Sequence, residues 1–237
     1  MLFRSVIPTG GLGMNTGVGD AFDLSWKLAA TLRGWGGANL LDAYEHERRQ
    51  VGERNVGASR YASIGRRKWR SMYRSNIAEN TPEGRQNREI LANVANVEQR
   101  KTNEMMGAEM GYRYVDSPII MDIPGGPEHL FRDYVPTTWP GARLPHVWLD
   151  DGTAMQDCLP DGYTLLKLGR TQVETAGLEQ AIRSFGAPLT VMDVPDQIAR
   201  DLYGFDLILL RPDMHIVWRG QQAPDDPALI AAVATGH

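Results

Sequence analysis

Five glycines crowd the segment 10–19, at Gly10, Gly11, Gly13, Gly17 and Gly19, directly ahead of a stretch with helical periodicity. Such a backbone can turn tightly, and few side chains keep a planar or anionic molecule away from it. With Pro8 ahead of it, the segment predicts a loop over residues 8–19 and then a helix to about Leu32. Ala21, Leu24, Leu28 and Leu32 recur at three- and four-residue spacing and lay one apolar stripe along that helix. Gly34, Gly36 and Gly37 then stop it, and Asn15 or Thr16 is placed to cap its start. A helix start carries unpaired amide groups and a partial positive charge, which suits an anionic or electron-rich ligand. The glycines alone fit a tight turn with close helix packing equally well.

The 237 residues are 42% hydrophobic, enough for one large domain or two small ones. A formal net charge of -4 argues against a general phosphate-binding surface and so against nucleic acid as a partner. The basic run Arg66, Arg67, Lys68 and Arg70, with Trp69 among them, then reads as a solvated helix face. A lone cysteine, Cys158, forms neither an internal disulfide nor a thiolate zinc site, which fits a reducing cytoplasm. His46, His129, His146, His215 and His237 lack the i, i+4 spacing of a helical metal site, and no metal is assigned. MLFRSVIPTGG is too short for the apolar core of an export signal, and no uncharged apolar run reaches the ~18 residues of a membrane span.

Downstream, residues 38–110 are charged and helix-favouring, with Leu40, Leu41, Tyr44, Val51 and Val56 on one side. Pro82 and Gly84 divide this region, and its second stretch, roughly 85–106, carries Ile90, Leu91, Val94 and Val97 at helical spacing. YRYVDSPIIMDI predicts a strand from its β-branched and aromatic content, and a Pro/Gly-rich linker to His146 marks a boundary. Beyond it VWL, YTLLKLG, LTVMDV, LILLRP and HIVWRG read as strands, with helices over 178–185, 196–202 and 228–234. Pro212-Asp213-Met214-His215 predicts a hairpin turn between the last two runs.

The run PTGGLGMNTGVGDAFDLSWKLAATLRGWGGANLLDAYEHERRQVGERN resembles the second flavin-binding motif of the phenol and p-hydroxybenzoate hydroxylases. GYRYVDSPII, PGARLPHVWLDDGT and LYGFDLILLRPDMHIVWRG are similar to the tail of the larger phenol-hydroxylase-type members. The resemblance implies an α/β fold: a mostly helical C-terminal part of a flavin-binding domain over 1–125, then a thioredoxin-like α/β domain over 126–237. It implies FAD as cofactor, with Pro8, Gly10, Gly11, Leu12, Gly13, Met14 and Asn15 against the isoalloxazine ring as backbone or packing contacts. Negative charge builds at N1 and O2 of the ring on reduction, and amides near Met14 and Asn15 would stabilise it. No side chain of this part is implied as catalytic, because the flavin carries the oxygen chemistry. The implied reaction hydroxylates a phenolic or related aromatic small molecule with NADH or NADPH and O2. Disulfide exchange needs a C-x-x-C turn, which a chain with only Cys158 does not have.

The family's opening strand, G-x-G-x-x-G turn and helix, which hold the ADP part of FAD, have no counterpart in these residues. Neither does its middle Asp-Gly motif, nor the Gly-Asp pair ahead of the proline loop, where MLFRSVI stands. Gly19-Asp20 is no replacement, since it follows the loop at the expected helix start, where Asp20 complements the helix dipole. The expectation is therefore weak or no FAD binding by this polypeptide alone. A second reading is a non-catalytic interaction module derived from such an enzyme, with exposed apolar surface favouring a homo-oligomer. Asp150-Asp151 and Asp225-Asp226 read as turn residues, and Trp139, Trp148 and Trp218 as core or interface anchors. Ser5, Ser25 and Ser117 lack the G-x-S-x-G elbow of a serine hydrolase.

Overall fold

The computed structural model describes residues 6–170 and 172–237; Met1–Ser5, and with it most of the MLFRSVI segment, lies outside the described residues. The chain divides into two compact units, the first drawn from Met1–Gly19, Arg49–Gly111 and His129–Tyr134, the second from Asp20–Arg48, Tyr112–Glu128 and Val135–His237. Helices α1 (Leu12–Leu32) and α2 (Ala38–Ser71) contribute residues to both.

In the first unit, the later part of α2 is followed by α3 (Pro82–Glu98), α4 (Arg100–Asn103) and α5 (Met106–Met110). The expected break falls where Thr81 caps α3 by accepting a bond from the Gly84 amide, with Pro82 in the first turn, where its missing N–H is no loss. The expected apolar face of α3 is not a core face: Ile90 and Val97 are exposed, and the buried residues are Gly84 and Glu98. Glu98 is held by Lys68 at 2.6 Å and Lys101 at 2.7 Å, so one member of the basic run is an ion-pair partner.

The second unit contains β1 (Tyr163–Leu168), α6 (Ala176–Ser184), β2 (Leu189–Val194), α7 (Gln197–Tyr203), β3 (Leu207–Leu210), β4 (Ile216–Gly220) and α8 (Pro227–Thr235). The sheet order is β2-β1-β3-β4, with β1 parallel to β2 and the other pairings antiparallel, the order of a thioredoxin-like domain. Both central strands are covered on both faces, which explains why their sequences are almost continuously apolar. Side chains alternate between two cores. Tyr163, Leu165, Leu207 and Leu209 meet Leu178 and Ile182 of α6 and Ile230 of α8, whereas Leu166, Leu168, Ile208 and Leu210 meet Ala199 and Tyr203 of α7.

The expected strands and helices of this domain are present with small shifts at their ends, VWL excepted, which contributes only the single bridge from Trp148 to Ala154. The hairpin turn closes through Arg211 N to His215 O at 3.0 Å, with Met214 at a φ of 66°. The strand expected over 112–123 does not form; Asp116 at a φ of 52° and Pro118 interrupt extended backbone, leaving one bridge from Arg113 to Ala142.

Helix α1 departs most from expectation. It begins at Leu12 rather than after Gly19, and its apolar stripe faces outward, with Leu28 44% and Leu32 79% exposed. Asp23 and Lys27 face inward instead, at 2% and 0% exposure. Lys27 lies 2.8 Å from Asp23 and 2.7 Å from Glu47 of α2, and Arg211 lies 2.6 Å from Glu47, 3.1 Å from Asp23 and 2.5 Å from Asp213. Ser117 donates a further bond to Glu47, and the Arg211 guanidinium sits over the rings of Trp26 and Tyr114. Asp20 also differs from its expected role: it is well inside α1 and pairs with Arg48 of α2 at 2.8 Å. Burial of charge is tolerated only when each group is paired, and loss of a single partner from such a cluster costs about 3–5 kcal/mol.

The cluster holds three carboxylates, Asp23, Glu47 and Asp213, against two cations, Lys27 and Arg211, an excess of one negative charge. Burial drives Asp23 up to about 6, against the opposing pull of Arg211 and Lys27. Burial also raises Glu47 and Asp213, but Arg211 together with Lys27 at Glu47, and Arg211 together with His215 at Asp213, outweigh it and hold both below the ordinary carboxylate range. With one carboxylate more than Lys27 and Arg211 can pair, Asp23 is the member of the set that takes up a proton first as pH falls. Because the folded form holds that proton more tightly, stability from this group is greatest below its ordinary value of 3.8 and is lost as pH rises towards about 6. Glu47 and Asp213 act in the opposite sense, losing stability as pH falls below the usual carboxylate range. In Asp23→Asn, urea midpoints measured across this window should lose the decline with rising pH; an unchanged slope would place the proton elsewhere.

Candidate functional site

Pro8 opens a turn closed by the Gly11 amide donating to the Pro8 carbonyl at 3.2 Å. Gly10 and Gly11 have φ of 92° and 70°, a region that side chains disfavour, and they deliver the chain into α1 at Leu12. Asn15 and Thr16 therefore lie within the helix and do not cap it. Asn15 Nδ2 donates to the Gly11 carbonyl at 3.1 Å, and Thr16 Oγ1 donates to the Leu12 carbonyl at 2.6 Å. The amides of Leu12, Gly13 and Met14 precede the first intrahelical bond and have no carbonyl partner within the helix among the described residues. The first turn contains no acidic side chain, so nothing on the helix offsets the positive end of its dipole.

This turn has two distinct sides. Underneath, Leu12 is 3% exposed and packs with Ala58 and Ala62 of α2, with Met105 just ahead of α5 and with Ala108 inside it. Arg54 braces the floor, donating to the carbonyls of Gly107 at 2.6 Å, Ala108 at 2.9 Å and Leu130 at 3.0 Å. On top, Pro8, Gly11, Met14, Asn15 and Gly17 are exposed, and a Cβ added at Gly11 or Gly17 would meet nothing within 4 Å. Gly10 and Gly13 are half-buried, with Gly13 against Val6. The seven residues singled out from the sequence thus form one continuous ledge, with Leu12 turned into its underside. A flat ring with an electron-rich edge fits it: the backbone is bare, the free amides are at its start, and no carboxylate opposes the charge.

Residues 4–59 match the FAD binding domain family, and residues 137–235 match the aromatic-ring hydroxylase C-terminal family. The chain thus combines a match to a flavin-binding family with one to the C-terminal family of the aromatic-ring hydroxylases. It is 34% identical to the FAD-dependent monooxygenase apdD of Emericella nidulans, over 98% of this chain and 39% of that protein. It is 30% identical to phenol 2-monooxygenase of a Pseudomonas species, over 93% of this chain and 41% of that protein. The solved structure of the rebeccamycin biosynthetic enzyme RebC with reduced flavin matches at a TM-score of 0.85 and 32% identity, over 98% of this chain and 43% of that one. The chain therefore spans about two fifths of the length of the curated relatives it matches.

The second unit of the chain contains a cavity of about 260 Å³ lined by Leu149, Asp150, Asp151, Met192, Asp193, Val194, Pro195 and Asp196. Its acidic wall opposes an electron-rich ligand, and several of its carboxylates have structural partners. Asp196 accepts the amides of Ala199 and Asp150, at 2.8 and 2.7 Å, and Asp151 accepts that of Thr153. Asp226 likewise caps α8 through the Leu229 amide.

The floor of the ledge was not evident from the sequence, since Met105 and Ala108 meet Leu12 only after a long excursion of the chain. One signal was present: Val51, Asn55, Ala58 and Ala62 share a helix face, and Asn55 is the polar residue among them. The two kinds of glycine in the ledge predict opposite responses to alanine. Gly10→Ala or Gly11→Ala forces a side chain into the left-handed region and should destabilise by about 1–2 kcal/mol. Gly13→Ala sits in helical backbone with ordinary contact to Val6 and should stabilise by about 0.5–1 kcal/mol. Chemical unfolding of the three variants checks this; equal effects would contradict the turn geometry.

Proposed function

We propose that this chain is the C-terminal part of a monooxygenase that uses NADH or NADPH and O2 to hydroxylate a phenolic or related aromatic small molecule. The observation that carries the reading is the bare glycine ledge whose unopposed amides open α1. In this reading Pro8, Gly10, Gly11, Leu12, Gly13, Met14 and Asn15 receive the isoalloxazine ring, which when bound supplies the redox and oxygen chemistry. The chain's own residues bind and orient. Glycines 10, 11 and 13 allow the ring to approach, Leu12 anchors the turn from beneath, and the helix-start amides stabilise negative charge at the ring's pyrimidine edge. Residues 1–125 then form part of the flavin-binding domain and residues 126–237 a thioredoxin-like domain that supports the subunit interface or the substrate side. Lack of redox chemistry in the latter is supported by the position of Cys158, which precedes β1 and has no second cysteine to pair with. A reducing cytoplasm fits the same fact, and no helix among the described residues is long and apolar enough to cross a membrane.

One observation favours a second role, self-association: within the second unit, Phe22, Leu28 and Leu32 present an apolar face of α1 that is 55%, 44% and 79% exposed. A homo-oligomer would cover it, and a strictly monomeric elution profile would exclude that role.

The ledge is one-sided, and the chain spans about two fifths of its relatives. Purified alone, it should carry no stoichiometric flavin absorbance, since the ADP moiety of FAD needs further contacts. In a full-length family member, a Gly13→Val change at the matching position should lower both flavin content and NAD(P)H-dependent oxygen uptake with a phenol. Unchanged cofactor content and turnover would overturn the placement of the ring.

A further inference from the structure

Beneath the ledge, a short relay of hydrogen bonds joins the two helices inside the first unit. Asn55 Nδ2 of α2 donates to Thr16 Oγ1 at 2.8 Å, and Thr16 Oγ1 in turn donates to the Leu12 carbonyl at 2.6 Å. Asn55 and Thr16 are each only 6% exposed. The relay ends on the carbonyl of Leu12, the first helical residue of α1. Leu12 is thereby fixed at two points, its side chain in the apolar floor and its carbonyl through Thr16. Bonds in series polarise one another, so the donor at the far end strengthens the bond at the near end.

Asn55 is an expensive way to obtain this bond. Its Oδ1 is buried and accepts no hydrogen bond among the described residues, while its neighbours on the same helix face are Val51, Ala58 and Ala62. Leaving a buried amide oxygen unsatisfied is unfavourable, and an apolar side chain of similar size removes that penalty together with the bond. Packing alone would therefore be served as well by leucine. What leucine does not supply is the donor that sets Thr16.

We infer that Asn55 is a positioning residue which, through Thr16, holds the opening turn of α1 so that its amides are aimed at the flavin ring. The inference rests on the flavin reading of the ledge and adds to it a residue that does not touch the ring. Because the amides stabilise the reduced ring more than the oxidised ring, their alignment is read by the flavin's redox potential rather than by stability.

The test uses Asn55→Leu, Thr16→Val and Thr16→Ser. In the 237-residue chain without flavin, hydrogen exchange at the Thr16 and Gly17 amides should quicken about tenfold in Asn55→Leu and Thr16→Val, with global stability of Asn55→Leu equal to or above the parent. In the flavin-loaded, full-length protein, the same two variants should lose about tenfold in preference for reduced over oxidised flavin, a fall of about 30 mV in the two-electron potential. Thr16→Ser keeps the hydroxyl and should restore both readouts. Faster exchange with an unshifted potential would overturn the inference while leaving the flavin reading intact, and so would unchanged exchange. Failure of the full-length parent itself to take up flavin would overturn the flavin reading and this inference with it.

Discussion

The pairing of Arg211 with Glu47 organises the second unit. The arginine lies at the end of β3, in the hairpin that closes the thioredoxin-like sheet, and the glutamate lies on α2, which belongs in sequence to the flavin-domain match. Neither side chain is exposed. A guanidinium presents its donors in a fixed planar fork, so once Glu47 and Asp213 occupy it the approach of the helix to the hairpin is fixed in direction as well as distance. Lys27 and Asp23 complete the shell from α1. Apolar packing supplies most of the stabilisation of such a domain, but it is tolerant of small rotations; a forked ion pair is not.

This arrangement also accounts for the way α1 is turned. Inspection of its sequence favours burying Leu24, Leu28 and Leu32, because hydrophobic periodicity is the strongest local signal available. The charges that reverse that choice, Glu47 and Arg211, are remote in sequence, and nothing in the spacing of Asp23 and Lys27 announces partners beyond each other. The helix start misleads for a related reason. Five glycines over 10–19 read as loop because glycine is a weak helix former, yet Leu12 in its apolar seat and the Thr16 hydroxyl hold the segment helical. Tertiary context overrides propensity in both cases.

Where burial is symmetrical, reading the sequence works well. Tyr163–Leu168 and Leu207–Leu210 are enclosed on both faces, so their apolar runs translate directly into central strands. Asp196 and Asp226 mark helix starts by a local bond to the backbone, and the hairpin is confined to a few residues. Of the glycine ledge, only the turn at Gly10 and Gly11 belongs with these legible features, since the helical course from Leu12 was not expected. Its floor does not, because Arg54, Met105 and Ala108 come together through carbonyl contacts and side-chain packing that no local pattern encodes.

The interlocked charges have a bearing on how such a chain diverges. Replacing one of them by an apolar residue strands its neighbours, whereas replacing all of them together by a well-fitted apolar set is often neutral or favourable. Sequences carrying the ionic set and sequences carrying an oily one are thus separated by intermediates less fit than either. A lineage that has adopted one solution keeps it by inheritance, without any requirement that the alternative fold less well.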